Sequence, residues 1–72
     1  MGKRHIVHAE LSSGNVVDVY TEETRNNLFD TACEWDTYPP TEDDMLEYQV
    51  AVLPQIGQVV QRLMRERDAR LN

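Results

Sequence analysis

Cysteine is almost missing from this chain: Cys33 stands alone among 72 residues. No disulfide can form within it, and a lone thiol fits a reducing compartment. Glycine is scarce as well. Gly2, Gly14 and Gly57 are isolated, so no glycine-rich loop can cradle phosphate. The apolar run Val50-Ala51-Val52-Leu53 is far too short to cross a bilayer. Met1 reads as an ordinary start, with no charged segment leading into an apolar secretory core. These absences predict a cytoplasmic protein of one small domain, residues 1–72, without a membrane partner. A chain of this size buries only about 60–65% of its unfolded surface, so its core has little stability to spare.

Bases are also outnumbered, and the net charge is −6. Nine acids lie between Glu22 and Glu47 against Arg25 alone, whereas Lys3, Arg4, His5 and His8 open the chain with no acid among the first eight residues. Arg62, Arg65, Arg67 and Arg70 outnumber Glu66 and Asp68 at the far end. A chain basic at both ends and acidic in the middle is a poor general nucleic-acid binder, since that task needs many cations against phosphate. The acidic middle suits a basic protein surface. Glu22, Glu23, Asp43 and Asp44 are its candidate contact residues, and Met1 to His5 is expected as a flexible cationic tip, with Lys3, Arg4 and His5 able to reach a partner. A solvated, solubilising surface is the plainer account of the same charges.

The second half organises the fold. Leu46, Val50, Leu53, Ile56, Val60, Leu63 and Met64 recur at intervals of three and four, which predicts a long helix over Thr41–Leu71. Thr41 with Asp44 reads as a capping box, and Glu42 and Asp43 add acid where the helix dipole favours it. Pro54 should kink this helix or split it in two. Upstream, Arg4–Leu11 and Val16–Tyr20 read as strands of an antiparallel hairpin around Ser12-Ser13-Gly14-Asn15. A Ser13-Gly14 tip would pair Leu11 with Val16, and a Gly14-Asn15 tip would pair it with Asp18, so the buried face stays open. Leu28, Phe29, Ala32 and Trp35 predict a middle helix over Glu22–Trp35, ended by an extended Asp36–Pro40 connection. The expected fold is therefore α+β: hairpin, middle helix and long C-terminal helix, with Phe29, Trp35, Leu46, Leu53, Ile56 and Leu63 as large core members.

Chemical motifs are few. His5 and His8, three apart on a strand, should point to opposite faces and share no ion, and Cys33 adds little to such a pair. No metal site and no cofactor are expected. The acid pairs lack the concave site that catalysis needs, so no enzyme activity is expected either.

The start MGKRHIVHAEL, the connector WDTYPP and the end RLMRERDARLN together resemble the small RNA polymerase-binding transcription regulators of lytic Xanthomonas phages. The likeness runs over the whole chain but includes no diagnostic motif, so no residue-level site transfers. It implies binding to the N-terminal part of the β′ subunit of bacterial RNA polymerase. It also implies inhibition of initiation through disturbed σ engagement, and passage of elongating polymerase through intrinsic terminators. On that reading Lys3, Arg4 and His5 would approach nascent RNA. The competing class is an acidic inhibitor that imitates nucleic acid, with Glu22, Glu23, Asp30, Glu34, Asp43 and Asp44 on one surface. A third is a helical module that self-associates through the Val50–Met64 face, against the monomer expected here.

Overall fold

The computed structural model describes residues 2–24 and 28–71. Three strands, β1 (Arg4–Glu10), β2 (Val16–Glu23) and β3 (Phe29–Trp35), form an antiparallel sheet in the order β1-β2-β3. A helical run follows: α1 (Glu42–Glu47), a π-helical turn (Tyr48–Val52) and α2 (Leu53–Leu71). The α+β class stands, with the hairpin supplemented by a third strand.

The β1–β2 turn uses neither expected tip. Glu10 pairs with Val16, and Leu11 faces Asn15 through Leu11 N–H to Asn15 C=O (2.8 Å), while Gly14 N–H reaches Leu11 C=O (2.9 Å). Ser12-Ser13-Gly14 is thus a three-residue loop, which needs a left-handed residue before the second strand, and Gly14 supplies it at φ 92°. This register places Val7, Leu11, Val17 and Val19 inward, where they join Val52 and Ile56 as the buried core.

The middle helix expected over Glu22–Trp35 is absent among the described residues: Glu22 and Glu23 end β2, and Phe29–Trp35 is a third strand. The apparent stripe misleads because Leu28 is 60% exposed and Ala32 pairs with the outward Tyr20. Seven residues of β3 pair with β2 from Val17↔Trp35 to Glu23↔Phe29. A lone hairpin is marginal in water, and long-range pairing overrides the weak local helical spacing. Thr24 N–H donates to Leu28 C=O (2.7 Å) where the two strands meet. Arg25, Asn26 and Asn27 lie outside the described residues.

The C-terminal helix is not split. Pro54 has no N–H and its ring would crowd the carbonyl four residues back. The turn just before it is widened, with Leu53 N–H bonding Tyr48 C=O five residues back, and the helix runs on. The widened turn shifts the phase of the helix. Asp44, Tyr48, Val52, Ile56, Val60 and Leu63 now face the sheet, each buried or half-buried. Leu46 (60% exposed), Val50 (77%) and Leu53 (44%) turn outward, so Leu46 and Leu53 leave the expected core. Trp35 is half-buried against the core, its ring 5.6 Å from that of Tyr48.

The capping box forms as expected, and it does more than cap. Asp44 N–H donates to Thr41 Oγ1 (3.1 Å), and Thr41 N–H returns to Asp44 Oδ2 (3.3 Å). The same carboxylate accepts from Ser13 Oγ at 2.6 Å and from Asn15 Nδ2 at 3.1 Å. Asn15 Oδ1 in turn accepts from Val16 N–H and Thr37 N–H, both at 2.9 Å. Helix start, hairpin loop and β3 exit are fastened at one buried knot.

Candidate functional site

Strand alternation leaves one sheet face under the helix and the other open. Register partners share a face. The open face therefore carries Asp18 with Glu34, Tyr20 with Ala32, Glu22 with Asp30, and His8 opposite Asp18. It is dominated by carboxylates.

Two histidines interrupt that acidity. The pairing of β1 with β2 shifts by one between His5↔Tyr20 and Val7↔Val19, so Ile6 is the extra residue of a β-bulge. A bulge reverses the alternation beyond it. His5 and His8 consequently stand on the same face, against the opposite faces expected from their spacing. His5 Nε2 lies 2.8 Å and His8 Nδ1 2.7 Å from the same oxygen, Asp18 Oδ1. The carboxylate accepts from both rings. Its hydrogen bond from His8, then that from His5, holds the Asp18 pKa below its ordinary value, and the hydrogen bond and charge of Asp18 raise the pKa of His8. His8 Nε2 is 3.9 Å from Glu10 Oε1 on the other side of the ring. His5 also meets Tyr20 edge-on, centroids 5.2 Å apart. Ligand-type atoms of His5, His8 and Asp18 all fall within 4.8 Å of one another.

The remaining candidates scatter. Lys3 is exposed ahead of β1, and Arg4 and His5 of the expected tip are already part of that strand, while Met1 lies outside the described residues. Arg4 faces inward with Thr21 and lines a groove with Glu23, Phe29, Leu63 and Arg70. The two basic ends of the chain thus meet at one end of the molecule, where the Arg67 guanidinium also sits over the Phe29 ring at 5.6 Å. Glu22 is on the open face, Glu23 pairs with Phe29 on the helix side, and Asp43 is exposed in the first turn of α1. Asp44 is only 4% exposed. Its pKa is lowered, first by the Ser13 hydroxyl and next by the Asn15 amide, so its charge is engaged inside the protein. The six carboxylates of the imitation reading therefore do not share one surface.

Part of the stripe that periodicity placed on one buried face is instead surface: Leu46, Val50 and Leu53, with Met45 beside them, form an exposed apolar strip along the outer side of the helix. Pro40, Glu42 and Gln49 border its N-terminal end. Only the π turn reveals it, and Pro54 was its sequence signal. On the other side, the Cys33 thiol meets the Tyr48 hydroxyl at 3.1 Å. Burial, with a smaller effect of Cys33, pushes the Tyr48 phenol up to about 12. Among the described residues, no helix is long and apolar enough to cross a membrane. Compared with protein-family models, curated proteins and solved structures, the chain matches none.

Proposed function

We propose that this chain is a non-enzymatic phage protein that binds host bacterial RNA polymerase at the N-terminal region of β′, as a monomer in the host cytoplasm. Bound there, it hinders σ-dependent initiation and promotes antitermination. The choice of polymerase rests on the resemblance of MGKRHIVHAEL, WDTYPP and RLMRERDARLN to phage regulators. A protein-binding role is carried by one observation, the strip of Leu46, Val50 and Leu53, which are 60%, 77% and 44% exposed on so small a domain. Contiguous exposed apolar side chains mark protein interfaces. Glu42 and Asp43 are exposed in the first turn of the same short helix and would give the contact an acidic rim suited to a basic surface.

Capture from bacterial lysate by the tagged chain should retain polymerase subunits despite nuclease treatment. Leu46→Glu with Val50→Glu should weaken binding to purified polymerase at least about tenfold while the fold persists. Unchanged binding by that variant would remove the strip from the interface. Neutralising Lys3 and Arg4 should reduce antitermination more than binding. A parallel fall would make both residues part of the docking surface.

The second reading, an acidic inhibitor occupying a DNA-binding site, draws support from Asp18, Glu22, Asp30 and Glu34 on the open sheet face. Retention of a nuclease or repressor in place of polymerase, with DNA competing for it, would favour that reading.

A further inference from the structure

We propose that His5, His8 and Asp18 form a binding site for a borderline divalent transition-metal ion, with zinc as the reference ion. Imidazole nitrogens with one carboxylate suit zinc and its neighbours, whereas magnesium and calcium prefer oxygen throughout. The donors are held by backbone pairing, because His8 faces Asp18 directly and His5 faces the adjacent Tyr20 across the same pair of strands.

Both ring nitrogens already aim at one point. They approach Asp18 Oδ1 to 2.8 and 2.7 Å, the N–H bonds of His5 and His8 converging there. An ion replacing those two protons needs donor atoms about 3.3 Å apart at ordinary zinc bond lengths. The two nitrogen-to-oxygen spacings reach that value by opening about half an ångström, and no two of the ligand atoms start more than 4.8 Å apart, adjustments within the side-chain rotation of three half-exposed groups. Glu10, 3.9 Å from the far nitrogen of His8, is placed to accept its proton and fix the ring with Nδ1 toward the ion. Glu22, Asp30 and Glu34 on the same face add negative potential. The exposed side of the cluster leaves a coordination position for water or for a donor from a bound partner. This site is independent of the polymerase reading.

The test is titration of tag-free, chelator-stripped chain with zinc chloride, followed by calorimetry and by imidazole and amide NMR resonances. One equivalent should bind, moving the His5 and His8 ring signals and the Asp18 amide together. His8→Gln and Asp18→Asn should each abolish binding, Glu10→Gln should weaken it about tenfold, and Cys33→Ser should leave it unchanged. Core amide shifts report whether each variant is folded, and His5→Gln replaces any that is not. Absence of heat and of ring shifts overturns the proposal. So does binding that survives His8→Gln or disappears with Cys33→Ser, and so does a response to magnesium without one to zinc.

Discussion

The Asp44 carboxylate spans the distance between helix and hairpin, accepting the Ser13 hydroxyl at 2.6 Å with one oxygen while the other holds the Asn15 amide at 3.1 Å. Two elements far apart in sequence are locked by a single side chain whose local task is to cap a helix.

Asn15 is the partner with most to lose. Its side chain serves Val16 N–H, Thr37 N–H, Thr37 C=O and Asp44, and the residue is 7% exposed. Asn15→Ala strands several of these groups at once. It should lower unfolding free energy by about 2–3 kcal/mol in urea denaturation, and a loss below about 0.5 kcal/mol would show the knot to be dispensable.

The knot has a sign in pH. The Asp44 pKa is lowered from 3.8 by its hydrogen bonds. A depressed carboxylate stabilises the fold above its unfolded pKa, and that contribution is lost as pH falls from there through the folded value. Thermal melting should therefore drop below pH 4 more steeply for the natural chain than for Asp44→Asn, which should melt several degrees lower at neutral pH. Parallel acid limbs would assign the loss to other groups.

Helix phase is testable by a pair of substitutions. Ile56→Ala removes a side chain that is 7% exposed and should cost about 2–3 kcal/mol. Leu46→Ala, at 60% exposure, should change stability by less than about 0.5 kcal/mol. Equal costs would return Leu46 to the core.

At the alkaline end the relevant group is Tyr48, with its phenol pushed up to about 12 by burial and by Cys33. A raised pKa stabilises the protonated folded state, so stability falls as pH climbs from the unfolded value of 10 toward 12. Melting temperatures across that window should fall less for Tyr48→Phe. Ultraviolet absorbance should show the Tyr48 phenolate appearing late in the titration.

Local signals carried much of this fold. Thr41 and Asp44 announced the cap, Gly14 and its neighbours the turn, and the valines of VVDVY the central strand. What escaped was governed by long-range pairing and by one-residue irregularities. Spacing at Leu28, Phe29, Ala32 and Trp35 fits a helix, yet β3 is settled by pairing with β2 that no local window contains. The stripe through Leu46 and Leu53 assumes a uniform helix, and the wide turn at Tyr48–Val52 changes its phase. His5 and His8 belong on opposite faces of a regular strand, and Ile6 makes the strand irregular.

The extra residue at Ile6 also bears on how related sites should be sought. On a flat strand, two side chains share a face when one residue separates them; across a bulge, the equivalent separation is two. His-Ile-Val-His here is therefore the stereochemical equal of a His-X-His strand elsewhere. A search keyed to three-dimensional donor placement would group the two spacings, whereas one keyed to sequence intervals would keep them apart.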